Sequence, residues 1–340
     1  MRITPATLLK IARDTVTLRE RQYPDLLAVY LHGSVLEDKP LLGGTTDIDL
    51  FFVHINEVEE RREIERLTDE VHLDISHHCS SEYRRTLEMR LHPWLGPTIF
   101  SCKILYDPQH FMDLVQANVR GQFDRPDYVL ERARNQAEHA RQMWFTMYNL
   151  ASEPDLDEVV LYLKAVEHVA NAVTSLKGAP LTERRFTLNF GARAEGIGKA
   201  GLYPGLLGLL GGPNVDTEML TGWLVPWQEA YASVPPEDAP PRLHLDRKDY
   251  YMRAFESLIG SGQPLDALWP MLRTWCRAVS FLPKDDSNTD GWRDVLLHLG
   301  LLGAGFKGRV AALDAYLDMV EETLDEWGRS SGAEYEHEYL

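Results

Sequence analysis

The segment LHGSVLEDKPLLGGTTDIDLFFV, Leu31 to Val53, places two carboxylates, Asp47 and Asp49, at the mouth of an apolar run formed by Ile48, Leu50, Phe51, Phe52 and Val53. Residues i and i+2 of a strand project to the same face, so the two aspartates serve one site while Ile48 and Leu50 face the other way. An ionised carboxylate withdrawn from water costs on the order of several kcal/mol unless something compensates it. A third carboxylate, Asp74, lies in VHLDISHH, where Val71, Leu73 and Ile75 alternate with His72, Asp74 and Ser76 in the period of a strand with one buried face. If the two strands pair, the three acids share one site, and oxygen-only donors suit Mg²⁺ or Mn²⁺ better than zinc. Gly33 and Ser34 supply a complementary half: a glycine where backbone must approach a ligand, then a hydroxyl and N–H groups suited to phosphate oxygens.

The surrounding elements must hold these groups. Thr4 and Pro5 form an N-cap and first-turn pair for a helix whose buried side is drawn from Leu8, Leu9, Ile11, Ala12, Val16 and Leu18. Strands are expected at about 26–31, 47–54 and 71–78, with another short one in CKILYDP. A charge-rich helix is expected over 57–70, with Val58, Ile64 and Leu67 buried, and a further helix near 81–91. From about Phe111 strand signals nearly vanish. Helices are expected over 126–152, 154–177, 215–233, 247–259, 265–279, 292–302 and 306–328. AEGIGKAGLYPGLLGLLGGP and SVPPEDAPPR read as connectors, and SSGAEYEHEYL as a polar tail. The fold class is therefore α+β: a small α/β domain with a mixed sheet over residues 1–110, an all-helical domain over 111–330 and a polar tail over 331–340.

Composition narrows the function. The 340 residues are 44% hydrophobic and 26% charged, an ordinary globular balance long enough for two domains. Formal net charge is -17; residues 1–120 hold 14 Lys and Arg against 19 Asp and Glu, and the remainder 21 against 33. That balance disfavours bulk nucleic acid as a partner, because such binding neutralises phosphates with cations. Cys79, Cys102 and Cys276 have neither disulfide-framework nor zinc-module spacing. No apolar stretch has membrane-spanning length and no signal peptide is read at the N-terminus, so a cytoplasmic protein is expected.

Gly33-Ser34, the hydrophobic-flanked Asp47-x-Asp49 on the next strand and a later strand carrying Asp74 together resemble the DNA polymerase β-like nucleotidyltransferase superfamily. The helical region that follows is similar in layout to aminoglycoside-type adenylyltransferases. The resemblance implies two-metal nucleotidyl transfer. Asp47 and Asp49 hold Mg²⁺ (or Mn²⁺), Asp74 completes the metal site or takes the acceptor's proton, and Gly33 and Ser34 bind the nucleotide. A hydroxyl of a small-molecule acceptor attacks the α-phosphorus of a nucleoside triphosphate, with AMP transfer from ATP the leading case, and pyrophosphate leaves. The acceptor is expected in a cleft between the two domains. The acidic composition favours a cationic acceptor. Nucleotidylation of a protein or tRNA, as in toxin-antitoxin members, and a non-catalytic nucleotide-binding module are the alternatives.

Three other constellations bear on this expectation. Lys164, Glu167, His168 and Asn171 form an i, i+3, i+4, i+7 polar stripe on an otherwise apolar helix, which is either a solvated face or, by the resemblance, a nucleotide-binding strip in which Lys164 holds the triphosphate. Related enzymes carry a carboxylate one turn before such a lysine; here that position is Val160, which leaves Asp74 as the candidate base. His72, His77, His78 and Cys79 invite a zinc reading, but His77 and His78 are adjacent on a strand and point to opposite faces. Arg184 and Arg185, in KGAPLTERRF, are read as part of a surface loop, with contacts to phosphate or acceptor as the alternative.

Overall fold

The computed structural model describes residues 3–149, 153–237 and 239–333. The chain forms two compact units, residues 1–124 and 125–340.

The first unit is built on a five-stranded mixed sheet: β1 (Leu26–His32), β2 (Thr46–His54), β3 (Arg62–Arg66), β4 (Val71–Cys79) and β5 (Lys103–Tyr106), in the order β3-β4-β2-β1-β5. β2 and β4 are parallel, and every other pairing is antiparallel. α1 (Pro5–Arg19) starts where Thr4 Oγ1 accepts from the Thr7 amide at 3.2 Å and Pro5 occupies the first turn. Its Leu8, Ala12 and Val16 cover Val29, Leu31, Ile48, Leu50, Phe52, Leu73 and Ile75 on one sheet face. Thr15, not Leu18, completes the buried stripe of this helix; Leu18 faces solvent. Against part of the opposite face lie α2 (Thr86–Met89), α3 (Leu95–Ser101) and α4 (Phe111–Arg120), with Met89, Ile99, Met112, Val115 and Val119 packed on Ala28, Tyr30 and Val53. Because α4 belongs to this core, the first unit runs past residue 110.

The Gly43-Gly44 turn leads into β2. Both glycines have positive φ, +60° and +75°, and Leu42 and Thr45 exchange backbone hydrogen bonds of 3.0 and 3.1 Å across them. Side chains with a Cβ strain in that conformation, which explains the glycine pair.

Two local expectations are corrected. Residues 57–70 do not form a helix: Arg62–Arg66 is the edge strand β3, paired antiparallel with β4. Its charges look like a solvated helix face, but Arg62 and Glu63 meet Asp74 and His77 of β4, Glu65 meets Arg19 of α1 and Arg66 meets Asp69. β4 is also buried on both faces over Val71–Ile75, His72 and Asp74 included, rather than alternating between core and solvent.

The second unit contains α5 (Pro126–Tyr148), α6 (Leu156–Ser175), α7 (Phe186–Gly196), α8 (Leu202–Leu209), α9 (Thr217–Ala232), α10 (Lys248–Ile259), α11 (Leu268–Val279), α12 (Asp290–His298) and α13 (Phe306–Ser331). No strand occurs among its described residues. α7 was not anticipated, and α8 lies inside the stretch read as a Gly-rich connector, with Leu202, Leu206, Leu207 and Leu209 buried on one side. The expected helix end at 150–152 and tail residues 334–340 lie outside the described residues, as does Asp238 of the Pro-rich connector. No single described helix is long and apolar enough to cross a membrane.

Candidate metal centre

Strand register builds the site as a grid. On the face opposite α1, one row crosses the sheet as His32 on β1, Asp49 on β2, Asp74 on β4 and Ile64 on β3. The flanking rows carry Asp47, His72 and Arg66 on one side and Tyr30, Phe51, Ser76 and Arg62 on the other. The parallel pairing of β2 with β4 therefore brings Asp47, Asp49 and Asp74 together. One oxygen from each lies within 4.8 Å of the others. Asp47 and Asp74 are buried at 8% and 4% exposure, and Asp49 is half-buried.

Gly33 closes one side. Its φ is +84° and ψ -160°, and a Cβ there would sit 2.2 Å from Asp49 Oδ2. Only glycine lets the chain turn so tightly against that carboxylate. Ser34 opens a short 3₁₀ turn, and its Oγ is 3.1 Å from Thr46 Oγ1 at the start of β2, so the Gly-Ser turn is tied to the strand that carries the aspartates.

Arg62 is the residue at this site that sequence reasoning missed. Its Nη2 donates to Asp74 Oδ2 at 2.5 Å. The carboxylate compensation that the sequence demanded is thus supplied in part by a guanidinium. His32 is the register partner of Asp49, and burial pushes its pKa down to about 4, so it stands neutral beside the acids at ordinary pH.

The donor set fits a hard divalent cation: three carboxylates, oxygen atoms only, converging within a few ångströms, with backbone close against one of them. It is the one group of three or more His, Cys, Asp or Glu side chains with convergent ligand atoms among the described residues. The histidines of β4 do not form another. His77 turns toward α1's side of the sheet, where its Nδ1 is 2.9 Å from His54 Nε2 and its Nε2 is 2.7 Å from Glu63 Oε1. His78 turns the other way, to the hydroxyl of Tyr83 at 2.9 Å.

The polar stripe of α6 has several environments. Lys164 is exposed, Glu167 pairs with Arg273 at 3.2 Å, His168 bonds Gln136 of α5, and Asn171 is buried and receives the Leu181 amide at 2.7 Å. Arg184 stacks on the Tyr250 ring at 3.6 Å and is not a loose loop residue.

Compared with known proteins, the chain matches no family model and no curated protein.

Proposed function

We propose that the protein is a metal-dependent nucleotidyltransferase that moves a nucleoside monophosphate, with AMP from ATP the leading case, onto a hydroxyl of a small-molecule acceptor. The observation that carries this reading is the convergence of Asp47, Asp49 and Asp74 within 4.8 Å beneath a Gly-Ser turn whose glycine has no room for a side chain. Asp47, Asp49 and Asp74 would hold Mg²⁺ or Mn²⁺. When bound, the metal supplies neutralising charge for a triphosphate and for the oxygens of the phosphoryl transfer.

The chain's own residues do the rest. Gly33 and Ser34, both half-buried, border the site with backbone and a hydroxyl. Asp74 completes the donor set or receives the acceptor's proton. The acceptor oxygen forms a bond to the α-phosphorus, the bond to the bridging oxygen breaks, and pyrophosphate carries the electron pair away. The net acidity of the chain favours a cationic acceptor and disfavours bulk nucleic acid.

The test is pyrophosphate release from ATP, GTP, CTP and UTP with panels of hydroxylated acceptors, in wild type and in Asp47→Asn and Asp49→Asn. Metal-dependent release that both substitutions abolish supports the proposal; no release with any nucleotide, despite metal-dependent nucleotide binding, favours a binding module. The Arg62–Asp74 ion pair is the observation on the side of that second reading, since it neutralises one carboxylate without a metal. Lys164→Ala, compared in triphosphate affinity, tests the helical unit's contribution.

A further inference from the structure

Arg62 stands two residues from Ile64, the register partner of Asp74, so its side chain rises on the carboxylate face one row from the acids. It reaches Asp74 Oδ2 with Nη2 alone, and its Nε is buried with no hydrogen-bond partner among the described atoms. The side chain is 30% exposed while its partner is 4% exposed. A guanidinium offers five N–H donors in a rigid fork matched to carboxylate and phosphate. Here one donor is committed to the site, another has no acceptor, and part of the group borders solvent. β3 is a five-residue edge strand, so nothing pairs with its outer side in the sheet.

We infer that Arg62 is a positioning residue that acts as a resident counter-ion: it occupies Asp74 Oδ2 while the site lacks metal and moves to oxyanions of the triphosphate when metal and nucleotide enter. The inference rests on the metal-site reading above and adds to it a competition. A cation and the guanidinium cannot both take full possession of the same oxygen, and the positive charge of Arg62 raises the energy of any metal nearby. The metal alone therefore binds weakly, and metal with a triphosphate binds well, because the displaced guanidinium gains phosphate oxygens. This makes the site selective for the metal–nucleotide complex over free metal.

The experiment is Mn²⁺ titration of the full chain, followed by the electron paramagnetic resonance signal of free Mn²⁺. It compares wild type, Arg62→Gln, Arg62→Lys and Asp49→Asn, each with and without an α,β-methylene ATP analogue. Arg62→Gln is expected to tighten binding of Mn²⁺ alone by about tenfold, since a neighbouring unit charge is removed at a partly screened position. With the analogue present its advantage should vanish or reverse. Arg62→Lys keeps the charge but loses the fork, so it should gain by about two- to threefold without nucleotide and lose more of the analogue's enhancement than wild type. If Arg62→Gln has no cooperative unfolding transition, the Lys variant alone decides.

Unchanged or weaker Mn²⁺ affinity in the folded Arg62 variants, with wild type binding and Asp49→Asn not, overturns the counter-ion role and leaves the metal site standing. Failure of wild type and both Arg62 variants to bind Mn²⁺ under either condition removes the metal site and the inference with it.

Discussion

Asp49 and Asp74 are direct register partners across the parallel ladder of β2 and β4. Neighbouring strands lie about 4.8 Å apart, so this pairing sets two acids side by side in a largely buried layer. Arg62 offsets that repulsion at Asp74.

Neutralising either acid relieves their mutual repulsion, and neutralising Asp74 also takes the counter-charge away from Arg62. Asp49→Asn relieves repulsion at nearly constant volume and is expected to raise metal-free stability by about 0.5–1 kcal/mol. Asp74→Asn removes the negative charge paired with a partly buried guanidinium, leaving at best a neutral amide oxygen to accept from it, and should lower metal-free stability by about 1–3 kcal/mol. Urea unfolding in EDTA reads both, and equal shifts of the same sign would contradict the arrangement.

Gly33→Ala is expected to cost about 1–3 kcal/mol, because a Cβ at φ +84° is strained and would overlap Asp49 Oδ2 at 2.2 Å. The loss should extend to Mn²⁺ affinity, since the carboxylate has to move. Gly44→Ala is the control: its φ is also positive, but a Cβ there meets nothing within 4 Å. It should cost stability while leaving Mn²⁺ binding intact. Calorimetric unfolding and Mn²⁺ titration of the two variants separate strain from collision.

Acid should weaken the fold in two windows. Beneath α1, Asp25, His54, His77 and Glu63 form a hydrogen-bonded row, with Tyr23 and Arg19 also on Glu63 and Glu65 on Arg19. Burial depresses His54, so the unfolded chain takes up that proton first and stability falls as pH drops below about 6.5. His77's hydrogen bond, with Arg19 and Tyr23, holds Glu63 down to about 2. Its stabilisation is complete above about 4.5 and lost as pH falls toward about 2. Denaturant midpoints across pH 7 to 3 should show both declines. His54→Gln should lessen the first, to which His32 and His168, held down to about 4, also contribute, and Glu63→Gln should lessen the second.

In the helical unit, Arg141 of α5 reaches Asp314, Asp318 and Glu321 of α13, the last through two parallel bonds of 3.0 and 2.9 Å. These carboxylates raise its pKa further. Arg141→Ala should destabilise by about 1–2 kcal/mol, with Arg141→Lys recovering less than half, because an ammonium cannot span that fan of acceptors. Mn²⁺ affinity should not change. An unaltered urea midpoint would mean that the cluster is only a surface pairing.

The aspartates were legible because their spacing matched a strand and their surroundings were too apolar for a solvated turn. β3 was hidden because EVEERREIERLTDE has the charge density of an exposed helix. Its period-two signal lay in sign: Arg62 and Arg66 share one face with Ile64, and Glu63 and Glu65 share the other. Pairing with β4 realised that pattern by giving Arg62 an aspartate and Glu63 a histidine, a tertiary gain that local propensity cannot register. Missing β3 meant missing Arg62. α8 was hidden for a different reason: Gly205 and Gly208 read as breakers, yet a Cβ at Gly205 would come within 2.9 Å of the Tyr316 ring, so that glycine permits close helix packing.

The edge strand also makes a lever. Successive side chains of β3 grip different faces of the sheet: Arg62 holds Asp74 above, and Glu63 holds His77, Tyr23 and Arg19 below. Both grips sit on one five-residue segment joined to β4 by its backbone ladder. Withdrawal of Arg62 from Asp74 would leave the strand held by its ladder to β4 and by Glu63, so amide exchange along Arg62–Arg66 is expected to report what occupies the acids, read from the rim of the sheet and not from the site itself. Such a coupling runs both ways: to the extent that release of Arg62 loosens Glu63, release of Glu63 loosens Arg62's hold on Asp74 by the same free energy.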